Sequence, residues 1–250
     1  HAKKLVAFER IATFPVYRNT CDGLAGAALE ACVDEETVAE IVAASKDGKT
    51  LIYTDSEKEL LGFVDIANPH NPAPGGTVAL PGEPTSVEVA GDYALVAVNT
   101  SADFVSTSGD LIVVHIPSQT VAASLPLGGQ PDSVAVSPDG RYAAIAIENE
   151  RDEDLGDGGL PQLPAGFLVI VDLVGPPAAW TTRMVDLTGI ADETPEDPEP
   201  EFVDINKKNI AAVSLQENNH MVLVRLKNGK IIGDFSAGDV SLKNVDNNED

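Results

Sequence analysis

The sequence predicts an all-β chain built as a β-propeller, on three observations. A strand–turn–strand grammar recurs four times along the 250 residues. Its first recurrences fall 46 and 47 residues apart, the length of a four-stranded blade. After residue 36 no ten-residue stretch keeps a helical period. A β-sandwich would explain alternating strands, but not blade grammar at regular spacing.

The first unit, residues 39–83, opens with Ala39-Glu-Ile-Val-Ala, turns at Lys46-Asp-Gly-Lys49 and continues as Thr50-Leu-Ile-Tyr-Thr, Leu61 to Ile66 and Gly76 to Leu80. The second, 84–130, runs Pro84 to Val89, Tyr93 to Val98, Leu111 to Ile116 and Thr120 to Leu125. The third, 131–199, gives Pro131 to Val136, Tyr142 to Ile147 and Phe167 to Leu173, with no legible outer strand. The fourth, 200–238, gives Pro200 to Ile205, Ile210 to Leu215, Met221 to Leu226 and Ile231 to Phe235. Turns such as Ser137-Pro-Asp-Gly140 and Lys227-Asn-Gly-Lys230 carry hairpin chemistry, because Gly and Asn tolerate positive φ. Ile41, Val87, Val134 and Val203 take equivalent places in this alignment. The last interval is longer because residues 150–166 and 190–199 read as polar insertions.

Residues 1–38 supply a closing strand, Lys4 to Tyr17, followed by a cysteine loop whose helical candidate is Leu24 to Glu30. Residues 239–250 read as the start of a further blade. The expected architecture is therefore about four blades of a six- or seven-bladed propeller, the remainder lying in a missing segment or a separate chain. The two cysteines, Cys21 and Cys32, stand eleven residues apart in a small-residue stretch. A disulfide between them would fit an oxidising compartment, and two reduced thiols are the alternative.

Forty acidic residues against sixteen Lys and Arg give a formal net charge of −24. That balance disfavours nucleic acid and, for the same reason, an anionic membrane surface. No apolar run reaches the ~18 residues of a spanning helix. The chain begins at His1 with no leader-like segment, which either a removed signal peptide or a fragment would explain.

Blade topology puts the loop leading into each first strand and the loop between strands two and three at one end. Acidic residues gather there, while Lys46, Lys49, Arg141, Lys207, Lys208, Lys227 and Lys230 fall at the other. Two readings follow: solubility alone, or a cation-binding face. Candidate Ca²⁺ ligands are Glu40, Asp132, Glu201 and Glu217, with Asp152, Asp154 and Asp157 in the loop Glu148 to Gly159, which is not an EF-hand. Asp132 and Glu201 stand two residues before Val134 and Val203, so successive first strands bring them towards one axis. Candidate substrate contacts are Arg151, Asn218, Asn219 and His220, whereas His115 lies mid-strand and reads as structural. No nucleophile elbow, Walker loop, dinucleotide fingerprint or zinc spacing is present.

Gly129-Gln-Pro-Asp-Ser-Val-Ala-Val-Ser-Pro-Asp-Gly140 resembles the YVTN-type repeats of exported bacterial propellers. Pro198-Glu-Pro-Glu-Phe-Val-Asp-Ile205, Leu215-Gln-Glu-Asn-Asn219 and Phe8 to Tyr17 together resemble propellers described as having esterase-like activity of phytase, and the related choice-of-anchor propellers. The resemblance implies a secreted or periplasmic protein, with hydrolysis of a phosphoester by bound Ca²⁺ as one expectation. It supplies no catalytic residues. A site of that kind also needs Lys or Arg to hold phosphate, and the acidic end offers only Arg151 and Lys58. The competing expectation is a non-catalytic propeller binding a protein or glycan partner through the acidic face; a lactonase or other hydrolase is a third.

Overall fold

The computed structural model describes residues 9–238. Four four-stranded antiparallel sheets follow one another along the chain, each with its strands in sequential order. Sheet one comprises β1 (Ala39–Ala44), β2 (Thr50–Asp55), β3 (Leu60–Asp65) and β4 (Ala73–Ala79). Sheet two comprises β5 (Glu83–Ala90), β6 (Tyr93–Asn99), β7 (Gly109–His115) and β8 (Thr120–Pro126). Sheet three comprises β9 (Pro131–Val136), β10 (Tyr142–Ile147), β11 (Phe167–Asp172) and β12 (Thr181–Asp186). Sheet four comprises β13 (Pro200–Ile205), β14 (Ile210–Leu215), β15 (His220–Arg225) and β16 (Lys230–Ser236). The strand missed by sequence is β12; its Thr-Thr-Arg-Met-Val-Asp pattern is polar because an outermost strand buries little, and only Val185 is fully covered.

Neighbouring sheets pack face to face, with the cores between them. Val96, Val98 and Ile112 of sheet two meet Ile52, Leu61 and Phe63 of sheet one. Leu95, Leu111 and Val113 meet Ile145, Ile147 and Val169 of sheet three. Ala144, Ala146 and Ile170 meet Val203, Val213 and Val222 of sheet four. Hydroxyls stitch the first strands together: Ser86 Oγ accepts the Val134 N–H at 3.2 Å, Ser133 Oγ accepts that of Val203 at 3.4 Å, and Thr85 donates to the Pro131 carbonyl at 3.0 Å.

The pairing corrects one equivalence. Val42 stands opposite Tyr53 as Val87 stands opposite Val96, so Val42, one residue beyond Ile41, is the counterpart of Val87, Val134 and Val203. The same one-residue bulge opens all four first strands, so the offset lies in where Ala39-Glu-Ile-Val-Ala is aligned and not in the bulge.

The segment expected to close the ring behaves differently. Residues 9–16 form no strand, and Lys4 to Phe8 lie outside the described residues. Phe14 and Val16 instead pack on Tyr53, Leu60 and Val64, on the outward face of sheet one. Sheet four already has four strands of its own. Two short helices follow, α1 (Arg18–Cys21) and α2 (Ala27–Val33), the second lying later than the expected Leu24 to Glu30. Asn19 fixes α1 by donating to the Tyr53 hydroxyl and the Phe63 carbonyl, both at 2.9 Å, and accepting from the Gly75 N–H at 3.1 Å. Tyr53 lies across Gly62, where a Cβ would come within 2.1 Å of the ring. Cys21 and Cys32 form a disulfide that ties α1 to α2. The expected start of a further blade at 239–250 lies outside the described residues.

Candidate functional site

Each first strand carries a bulge near its beginning. The ladder skips Thr85 between Pro84 and Ser86, Asp132 between Pro131 and Ser133, and Glu201 between Pro200 and Phe202; in β1 the irregularity spans Glu40 and Ile41. A bulge leaves one residue out of the pairing and re-aims its side chain. Glu40, Thr85, Asp132 and Glu201 all line one cavity of about 600 Å³. The preceding proline explains part of this, since it cannot donate to the ladder at the strand start.

The ends of the same strands are held by side-chain amides. Asn149 accepts the Gln130 N–H at 2.9 Å and donates to the Ala165 carbonyl; Asn218 accepts the Glu199 N–H at 3.0 Å and donates to the Asp197 carbonyl at 3.0 Å. Both asparagines are buried. Asn218, expected as a ligand contact, is thus a brace for the loop that presents Glu199.

Carboxylates dominate the cavity wall. Glu83, Asp103, Glu148, Glu150, Glu153, Glu199 and Glu217 join Glu40, Asp132 and Glu201. Burial pushes Asp132 up to about 7, and the charges of Glu201 and Glu150 add to it. Glu148 is raised to about 8 by burial and then by Asp132, Glu150, Glu199 and Glu201. Glu199 is raised to about 7 by burial, against the pull of Arg151. Glu83 and Glu201 are also raised, chiefly by burial. Between pH 6 and 8 the wall therefore exchanges protons, or holds a cation instead.

Arg151 is the basic side chain in this wall. Its guanidinium lies 3.1 Å from Glu199, 3.3 Å from Glu217 and 3.2 Å from Glu153, and its Nε donates to the Gly158 carbonyl at 2.8 Å. The insertion carrying it is pinned further by the Gln162 N–H, which donates to buried Asp197 at 2.6 Å. Lys58 lies outside the wall and pairs with Glu35.

Several expected ligands lie elsewhere. Asp152 accepts the Asp154 N–H and Asp157 accepts the Gly159 N–H, so these loop carboxylates cap their own turns, and Asp154 is exposed beside them. Asn219 has a left-handed φ of 50° and donates to the Gly238 carbonyl. His220 is buried with its Nε2 3.1 Å from Asp234, away from the cavity wall. His115 ends β7 with its Nδ1 2.8 Å from Ser118 Oγ. Among the described residues no group of three or more His, Cys, Asp or Glu side chains is set to hold a metal ion. Sequence reasoning missed Glu83; its signal was position, immediately before Pro84 as Glu199 stands before Pro200.

The family model of the choice-of-anchor I domain matches residues 40–249. The chain belongs to this family. No curated protein matches it. Among solved structures it is similar to the β-propeller domain of Cps50 (Swd1) from Myceliophteria thermophila, at 12% identity and TM-score 0.55, over 80% of this chain and 57% of that one. It is also similar to a virginiamycin B lyase from Staphylococcus aureus, at 12% identity and TM-score 0.55, over 81% of this chain and 57% of that one. The chain thus spans just over half the length of these propellers. At such identities the likeness shows the fold alone.

Proposed function

We propose that this choice-of-anchor chain is the binding portion of an exported propeller, taking a positively charged group of a partner at its acidic cavity without hydrolysing it. The observation that carries the reading is the wall itself. Ten carboxylates face about 600 Å³, and the arginine among them is engaged by three. A phosphoester hydrolase also needs Lys or Arg to hold phosphate beside any metal, and Arg151 is engaged by three carboxylates. The sequence-level resemblance to phytase-like propellers therefore finds no support in the site, while its choice-of-anchor half agrees with the family match. The disulfide and the family's name favour an exported, surface-held protein. Coverage of about half of related propellers favours a ring completed by further blades, in the same polypeptide or another.

Ca²⁺ is a second reading, favoured by the convergence of Glu40, Asp132 and Glu201 at equivalent bulges. The carboxylates would have to draw closer to supply the ~6–8 oxygens that Ca²⁺ takes.

Calorimetry separates these readings. A Lys- and Arg-rich peptide and Ca²⁺ are titrated in two buffers of different ionisation enthalpy, beside an assay of an activated phosphoester with and without Ca²⁺. Binding of the peptide should release protons and strengthen as pH rises through 7 to 8, because ligand and proton compete for Asp132 and Glu148. Ca²⁺-dependent turnover would reinstate the hydrolase. Failure of both ligands to bind would leave the acidic end with solubility alone.

A further inference from the structure

We propose that the turn end of sheet four is a docking surface for an anionic lipid bilayer, with the acidic cavity facing away from it. Five of the sixteen basic residues, Lys207, Lys208, Arg225, Lys227 and Lys230, sit at or beside the β13–β14 and β15–β16 turns, and all five are exposed. The two turns abut: the Leu226 N–H donates to the Asn209 carbonyl at 3.0 Å. Asn209 in turn donates to Asp139 at 2.8 Å, which brings the β9–β10 turn and its exposed Arg141 alongside. Acidic groups here are few. Asp139 is held by Asn209, Ser137 and Arg141; Asp172 pairs with Arg183 at 2.8 Å; Asp204 is exposed on β13.

The same end of the other sheets lacks this surplus. The β5–β6 turn carries Asp92, and in the β1–β2 turn Asp47 stands between Lys46 and Lys49. The surplus is therefore a property of one sheet, not of every hairpin. A sheet packed beside sheet four would cover its face and leave its turns free. The basic groups stand on exposed turn tips, not in a recess, which suits a broad anionic plane better than a small phosphate ligand.

The net charge of −24 opposes such docking at long range only. At ~0.01 M salt the screening length is about 30 Å and the bilayer meets the field of the whole molecule. At ~0.15 M it is about 8 Å, and the bilayer meets the nearest turns alone. Attraction should thus emerge at intermediate salt and vanish near ~1 M. A simple polycation shows no such maximum, because salt only weakens it.

Sedimentation with phosphatidylserine–phosphatidylcholine vesicles tests this, using the full chain across that salt range. Binding should peak near ~0.15 M, be absent with pure phosphatidylcholine, and fall by at least about tenfold in the variant K207Q/K208Q/K227Q/K230Q. These positions are exposed turn residues, so thermal unfolding should be unchanged in the variant. K46Q/K49Q should bind as the parent does. No binding near ~0.15 M, binding untouched by the fourfold change, or binding of soluble polyphosphate but not of vesicles would each overturn the proposal.

Discussion

Sheets two and three bury every residue from Ala94 to Val98 and from Ala143 to Ile147, whereas in sheet four burial alternates along β14 and β15. The central strands are covered on both faces, so apolar residues run on without a break. Sheet four is covered on one face, so a period of two reappears. Its other face presents Phe202, which is 64% exposed, beside partly exposed Met221 and Leu223. Phe202 occupies the place held by Ser86 and Ser133, the residues that accept an N–H from the following sheet. A strand's pattern therefore reports how many neighbours its sheet has. Sheet four also carries the basic turns, while the acidic wall draws on all four sheets.

Core truncation should break the comparison most sharply. Ile145→Ala, in a fully buried central position, should cost about 3–4 kcal/mol, and Met221→Ala on the open face about 1 kcal/mol or less. Denaturant unfolding of both variants measures the difference. Equal losses would mean that the open face is covered in solution.

Arg151→Ala should cost about 3 kcal/mol at pH 8, because Glu199, 1% exposed, would be left buried and unpaired. The loss should shrink at pH 6, where Glu199 can take a proton. Unfolding at the two pH values checks the sign.

The acidic wall also sets the pH profile of the parent chain. Asp132, Glu148 and Glu199 have folded-state values of about 7 to 8, above the ordinary carboxylate values of 3.8 to 4.5. The folded chain then binds more protons than the unfolded one between those limits. Their contribution is fully present below about pH 4 and is lost as pH rises through 7 to 8. Tm should fall by about 5 °C or more from pH 5 to pH 8.5, and a saturating cationic ligand should restore part of it. A Tm that is level or rising over this range would contradict the buried-carboxylate account.

Ser86→Ala removes the acceptor of the Val134 N–H and should cost about 1–2 kcal/mol. Phe202→Ser, which supplies a hydroxyl with no described neighbour to use it, should lie within about 0.5 kcal/mol of the parent. Restoring the serine matters only if another sheet is docked there.

Much of the fold was legible because strand periodicity and turn chemistry are local. Lys46-Asp-Gly-Lys49 and Ser137-Pro-Asp-Gly140 mark hairpins by residue type alone, and β2 and β10 follow them as expected. The disulfide and the polarity of the two ends were legible too, since topology alone assigns each loop to an end. β12 was not legible, because an outer strand needs few apolar residues. Nor was the course of residues 9–21, whose apolar Phe14 and Val16 fit a strand as well as a segment lying across Tyr53.

The sequence by itself determined the number of described sheets, their strand order and the separation of charge, all consequences of residue type and spacing along one dimension. The meeting of Glu40, Asp132, Glu201 and Glu217 was legible, and the tertiary structure decided which further carboxylates join them. The bulges at Thr85, Asp132 and Glu201 aim side chains inward through a one-residue break in pairing that no composition reveals. Arg151 finds Glu199 across 48 positions of sequence, and Asn218 turns from a candidate ligand into a brace because it lies beneath the loop it supports. The raised titration of Asp132 and Glu148 follows from burial beside like charges, a property of the assembled wall that neither residue carries alone.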